Sequence, residues 1–309
     1  MIPKQTSSPS NGIGRYEKIL PRRVKRYLLM LILIILGFFV LIGAFLFFYQ
    51  RKMIYFPRSY ESSYKMGLPP NTREITYETN SGKMTCFYIP PQISPEINPP
   101  ALWVFFGGNA SIALDWLDYL DQFHLESSGI LLVDYPGYGL CQGKPNRQSI
   151  GEGSNAAFSA LAKHLDMKIE ELEQDLNILG HSLGAAAALQ FAARHPAKKI
   201  ILLAPFTTLM DMAKKTVGMP LCFVLLDRFD NRARLEEILS RSDSPEVHIF
   251  HGKKDNVVPF KMGKQLAGTH SGKILFHPHD FADHNSIISD AVEEISLAMR
   301  GTKKETHSF

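Results

Sequence analysis

Ser182 lies in Gly180-His181-Ser182-Leu183-Gly184, after the apolar run Leu176–Gly180 and before the small residues Ala185–Ala188. A G-x-S-x-G stretch in that setting reads as a nucleophile on a sharp strand-to-helix turn. The glycines permit a strained backbone and close packing of strand and helix, and the turn lifts the hydroxyl above the sheet. The helix N-terminus behind it favours developing negative charge. A serine hydroxyl is a weak nucleophile until a base takes its proton. The base is expected to be a histidine oriented by an acid, following the serine in the order acid, then histidine. Asp255, in "HGKKDNVVP", lies just past an apolar run and suits the acid. The stretch "FHPHDFADHNSI" offers His277, His279 and His284. His284, immediately before the last helical stretch, is the favoured base. His279 is the alternative, and His277 is expected to point sideways or into the core. With Asp280 and Asp283 the same stretch has the composition of a metal cluster. A triad accounts for it without one, and no metal or cofactor is expected.

An acyl-transfer site also needs donors for the oxyanion. One is expected to be the Leu183 N–H, and the second to come from the loop "GGNAS", Gly107–Ser111. The Asn109 N–H is assigned, with Ala110 as the fallback. Losing one such donor typically costs ~3–4 kcal/mol of transition-state stabilisation. Because the donor is main chain, an Asn109→Ala change is expected to leave much of the activity.

The elements that must position these groups are legible as apolar runs. "REITYETNSGKMTCFYIP" reads as a hairpin turning at Asn80-Ser81-Gly82, and "ISPEINPP" as a proline-rich connection. Buried strands are expected at Ala101–Phe106, Gly129–Asp134, Leu176–Gly180, Lys199–Pro205, Val247–Gly252 and Lys273–Pro278. Helices are expected at Ser111–Phe123, Ser149–Leu165, Gly184–Arg194 and near Ser286–Met299. Strands without alternation, separated by helices, indicate a mostly parallel sheet covered on both faces, an α/β protein. Reactive groups in such sheets gather beyond the carboxyl ends of the strands. A helical insertion, about 207–244, contains the apolar "MPLCFVLL".

The chain begins differently. Tyr27–Tyr49 is uncharged and apolar on all sides, with a tyrosine at each end. Its length, roughly 35 Å as a helix, spans a hydrocarbon core of ~30 Å with some tilt. It has no small-residue cleavage site, so an uncleaved transmembrane anchor is expected rather than a signal peptide. Seven Lys/Arg and one acid fall in the first 26 positions, and Arg51, Lys52 and Arg58 follow the anchor. That bias favours the N-terminus inside and the large domain outside: a single-pass type II protein, in a bacterial cell an inner-membrane protein with a periplasmic domain. The net charge of +4 comes from this N-terminal segment, and the remainder is nearly neutral. No aromatic-interleaved basic stripe follows, and nucleic acid is not expected as a partner. Cys86, Cys141 and Cys222 form no CxxC or zinc pattern.

Taken together, "QRKMIYFP", "FFGGNA", "DYPGYGLCQGKP", "GHSLGAA", "PFTTLMDMA", "RFDN", "HGKKDNVVP" and "DHNSI" resemble the α/β-hydrolase superfamily. More narrowly, they resemble its membrane-anchored single-pass serine hydrolases, mammalian and bacterial. The resemblance covers about Gln50 to Ser296. It implies the α/β-hydrolase fold, with Ser182 as nucleophile, Asp255 as acid and His284 as base. Two departures stand out. Gly107 occupies the place of a histidine in the family's oxyanion segment, which is expected to loosen that loop. Cys141 stands where serine is frequent, a reactive thiol if it borders the pocket and otherwise a buried small residue. The expected organisation is a basic flexible N-terminus at 1–26, an anchor at 27–49, a hydrolase domain at 50–300 and a tail at 301–309. The expected function is hydrolysis of carboxylic ester or thioester bonds. Substrates are small molecules, lipids or acylated proteins, and the lipid bilayer is a partner through the N-terminal helix. A serine peptidase or acyltransferase on the same triad, or a non-catalytic binding protein, are the rival readings.

Overall fold

The computed structural model describes residues 21–93, 100–270 and 272–301. The basic N-terminus up to residue 20, most of the proline-rich connection and the tail beyond residue 301 lie outside the described residues. The chain falls into two compact units, Met1–Phe45 and Leu46–Phe309. The first is described by the opening turns of α1 (Arg22–Ile54), a single helix of 33 residues. Its apolar window has a mean hydropathy of 3.1, and none of that window is buried inside the protein. The helix is long and apolar enough to cross a membrane.

The second unit is built on eight strands. They are β1 (Arg73–Thr79), β2 (Gly82–Ile89), β3 (Leu102–Phe106), β4 (Gly129–Val133), β5 (Leu176–His181), β6 (Lys199–Leu203), β7 (Glu246–Gly252) and β8 (Ile274–His279). The helices after α1 are α2 (Leu117–Phe123), α3 (Arg147–His164), α4 (Ile169–Glu173), α5 (Leu183–Ala192), α6 (Leu209–Val217), α7 (Asn231–Leu239), α8 (Phe260–Thr269), α9 (Ile287–Asp290) and α10 (Val292–Arg300). The sheet order is β1-β2-β4-β3-β5-β6-β7-β8. β1 and β2 form the expected hairpin, with Thr79 opposite Gly82, and β2 runs antiparallel to β4. All other neighbours are parallel. This is the α/β-hydrolase fold, with its mostly parallel sheet.

Both sheet faces are covered, so successive residues of each central strand enter different cores. Along β3, Leu102, Val104 and Phe106 join Phe158 of α3, Ala185 of α5 and Leu266 of α8. Trp103 and Phe105 join Phe123 of α2 and Ile295 of α10. This explains why the strands read as unbroken apolar runs. The structure refines the expected helices. The stretch expected as a helix from Ser111 opens with a 3₁₀ turn at Ala113–Trp116 before α2, and the C-terminal helix is interrupted at Ala291. The insertion after β6 holds α6, a 3₁₀ turn at Leu221–Val224 and α7.

The last turns of α1 belong to the second unit and are tied to that insertion by polar contacts. Gln50 Nε2 donates to Val224 O at 3.0 Å, and its Oε1 accepts from Leu226 N at 2.7 Å. Asp227, almost fully buried, accepts from Arg51 Nε at 3.1 Å and from the Tyr55 hydroxyl at 3.2 Å. A buried carboxylate is tolerated only when it is paired and hydrogen-bonded in this way.

Candidate active site

Ser182 caps α5 at the end of β5 with φ 55° and ψ −113°, a backbone conformation that L-residues rarely adopt. Such strain costs about 1–3 kcal/mol and persists only where the surroundings over-determine it. Here they do. Ser182 N donates to Leu203 O at 2.8 Å, and β5 is paired on both sides. A Cβ at Gly184 would sit 2.2 Å from Phe106 O, and one at Gly180 would sit 2.3 Å from Gly184 O. Both glycines of the motif are therefore demanded by close backbone approach.

Three residues expected to act together are brought together. His284 Nε2 is 2.8 Å from Ser182 Oγ, and His284 Nδ1 is 2.7 Å from Asp255 Oδ2. All three residues are buried. The other Asp255 oxygen accepts from Val257 N at 2.9 Å and Val258 N at 2.8 Å, which fixes the carboxylate plane. His251 Nε2 lies 3.2 Å from Oδ2. Burial alone would raise the Asp255 carboxyl. Hydrogen bonds from His251 and His284 outweigh it and hold the group well below the usual carboxylate range. An ionised Asp255 accepts the Nδ1–H of His284. That leaves Nε2 as the acceptor facing Ser182.

The loop carrying His284 is set by Asp283, whose Oδ1 accepts from Asn285 N at 2.9 Å and Ser286 N at 2.8 Å. His181, inside the motif, reaches across to the same loop. Its Nε2 donates to His284 O at 2.9 Å. Burial, and the neighbouring His284, push its imidazole down to about 4, so it is neutral at pH 7. His181 thus ties the Ser182 turn to the His284 loop, a link not visible from its position in the motif.

His277 and His279 are directed elsewhere. The His277 ring stacks on Phe250 at 4.2 Å and meets His248 at 3.0 Å, while His279 lies near Glu294. The metal composition of that stretch does not assemble into a ligand set. Among the described residues no group of three or more His, Cys, Asp or Glu is arranged to hold a metal ion.

The loop after β3 completes the site. Among the described residues neither the Asn109 N–H nor the Leu183 N–H finds an acceptor, whereas the Ala110 N–H donates to Asn109 Oδ1 at 3.1 Å. The loop is not loose despite Gly107. Tyr135 donates its hydroxyl to Gly107 O at 2.7 Å. The Asn109 side chain donates to Ile54 O at 2.6 Å, and accepts from Phe56 N at 3.0 Å and from the Tyr138 hydroxyl at 2.9 Å. The expectation that Asn109→Ala leaves much of the activity overlooked these bonds. The side chain, and not the main chain alone, holds the loop. A cavity of about 200 Å³, lined by Gly107, Gly108, Ser111, Trp116, His181 and Asn285, opens beside it. Cys141 is buried, its thiol pushed up to about 12 by burial and by Asp134, and it bonds the Thr85 carbonyl. It is a packed residue and not a reactive thiol.

An α/β sheet of this order, with a serine on the β5 turn, is shared by many proteins. Residues 103–286 match the family model for the alpha/beta hydrolase family. An uncharacterized protein of Mycobacterium tuberculosis is 27% identical over 224 residues, covering 72% of this chain and 76% of that protein. Human alpha/beta hydrolase domain-containing protein 17B is 28% identical over 197 residues, 62% of each. A solved esterase of Pyrococcus furiosus superposes with a TM-score of 0.58 at 13% identity, over 80% of this chain and 97% of its own. The sheet order, the strained serine turn and a family match spanning most of the second unit agree: the chain belongs to the alpha/beta hydrolase family.

Proposed function

We propose that this protein is a membrane-anchored serine hydrolase that cleaves carboxylic ester or thioester bonds of acyl substrates. Ser182 is the nucleophile, His284 the base and Asp255 the orienting acid. The reading is carried by one observation, the unbroken contact from Ser182 Oγ through both nitrogens of His284 to Asp255.

In this mechanism Ser182 Oγ attacks the acyl carbonyl carbon while His284 Nε2 takes the hydroxyl proton. Asp255 holds the imidazole and stabilises the imidazolium. The Asn109 and Leu183 amides face the oxyanion of the tetrahedral intermediate. The intermediate collapses as His284 returns the proton to the leaving oxygen or sulfur. An acyl-Ser182 remains. Water, giving its proton to His284, then releases the carboxylic acid and restores the serine. The uncharged run Tyr27–Tyr49 anchors the enzyme, with the N-terminus inside and the hydrolase domain outside, in a bacterial cell facing the periplasm. Protease added to spheroplasts is expected to digest the domain, and digestion only after their lysis would reverse this orientation.

The full chain in lipid nanodiscs, given acetyl and octanoyl esters and thioesters, tests the chemistry. Wild type is expected to turn over at least one of them, and Ser182→Ala to lose at least ~10³-fold. Equal turnover by the two proteins would remove the assignment.

A further inference from the structure

A groove of about 220 Å³ lies between the last turns of α1 and the insertion after β6. Met53 and Ile54 form one wall, and Met212, Val217 and Leu225 the other. Its polar lining residues are already engaged. Gln50 spends both ends of its amide on Phe47 O, Val224 O and Leu226 N, and the Thr216 hydroxyl donates to Met212 O at 3.0 Å. A water in the groove would find few of the two to four partners it needs, whereas a hydrocarbon chain needs none.

The walls of the groove are also tied to the candidate site. Ile54, which lines it, gives its carbonyl to the Asn109 side chain, on the loop that presents the Asn109 amide. On the other wall, Leu209 begins α6 a few residues past Leu203, whose carbonyl accepts the Ser182 N–H. Both walls are therefore joined, through one bond or one short loop, to the parts flanking Ser182.

We propose that this groove holds the acyl chain of the substrate, a straight hydrocarbon whose carbonyl lies at Ser182 and whose tail lies between α1 and α6. The proposal rests on the hydrolase reading and names its substrate class. At roughly one water's share of volume, ~30 Å³, per methylene, the groove takes about seven methylenes, an octanoyl-length stretch. Longer chains run out past the rim. Each methylene that enters contributes at most about fourfold in kcat/KM. Selectivity then rises with chain length to about octanoyl and levels off.

The test uses the full chain in nanodiscs and a series of p-nitrophenyl esters from acetyl to dodecanoyl. Ala213 lines the groove, and Ala213→Phe fills it. The variant is expected to lose at least ~10-fold in kcat/KM on the octanoyl ester while its acetyl-ester rate stays within about twofold, which also reports that it is folded. Thr216→Trp, on an exposed position of the same lining, serves if Ala213→Phe does not fold. Binding is read without turnover on Ser182→Ala protein, by fluorine NMR line broadening of a fluorinated octanoate against empty nanodiscs. Broadening that Ala213→Phe abolishes supports the groove even if no ester is cleaved, in which case only the hydrolase reading falls. A flat chain-length profile overturns the groove, as does an equal loss on acetyl and octanoyl esters. So does octanoate broadening that Ala213→Phe leaves unchanged, as when a bilayer lipid occupies the space.

Discussion

The candidate site has two halves that are held in different ways. The Ser182 turn is fixed by the sheet itself. Ser182 is strained, but its neighbours in β5 are paired on both sides, and backbone contacts at Gly180 and Gly184 leave no alternative. The loop after β3 also contains a strained residue, Ala110 at φ 63°. It is held instead by side-chain hydrogen bonds, through Asn109 to Ile54 and Phe56 and through Tyr135 to Gly107. The lesson is that the turn is a property of the fold. The loop's geometry depends on the end of α1, on Phe56 just after it and on the tyrosines that follow β4.

The largest expected effect lies in the sheet-fixed half. His284→Ala is expected to cost at least ~10³-fold in kcat/KM, and His279→Ala less than about twofold, because only His284 touches Ser182. Ester-hydrolysis kinetics on both variants decide it, and the reverse order would move the base. Next comes Gly184→Ala, whose new Cβ would meet Phe106 O at 2.2 Å. A loss of about 100-fold in kcat, with a lower unfolding temperature, is expected. An unaffected enzyme would show that the turn has slack.

Asn109→Ala probes the other half. The amide of residue 109 survives, but the side-chain ties do not. The expected outcome is a 10–100-fold fall in kcat with KM nearly unchanged, as a misplaced oxyanion donor acts in the transition state. Full kcat in this variant would mean that the sheet alone holds the loop, and the contrast between the halves would vanish.

The last effect concerns stability and not rate. Asp134, behind this loop, accepts from Ala113 N at 2.8 Å and from the Tyr60 hydroxyl at 2.6 Å. Burial raises its carboxyl to about 6 against those bonds. A carboxyl raised on folding contributes stability that is complete below pH 3.8 and is lost as pH rises through about 6. Asp134→Asn should therefore stabilise the protein relative to wild type more at pH 7 than at pH 4, by about 2 kcal/mol. Unfolding of both proteins at the two pH values measures it. Comparing the pair matters because His181, pushed down on folding to about 4, loses stability in the opposite direction as pH falls below 6.5.

The same division explains what was legible in the sequence. The parallel strands, the hairpin and the serine turn come from local patterns: unbroken apolar runs, a turn tripeptide and two glycines at fixed spacing. The choice of His284 over His279 followed from its place between the last strand and the last helix. The Asn109 ties, the Tyr60–Asp134 bond and the Gln50 and Asp227 contacts were not legible. Each joins residues far apart in sequence, and a polar residue that will find a distant partner has the same local pattern as one facing water. The antiparallel pairing of β2 with β4 is not legible for the same reason. The breaks at Ala291 and before α2 depend on packing that no local periodicity records.

The central claim is that Ser182 is an activated nucleophile. The most direct measurement is mass-spectrometric mapping of a fluorophosphonate adduct on the full chain in nanodiscs, with Ser182→Ala as the control. A single adduct on the peptide containing Ser182, absent from the control and slowed by His284→Ala, is the expected result. A folded wild-type chain that gains no adduct, or gains it equally after Ser182→Ala, would contradict the account.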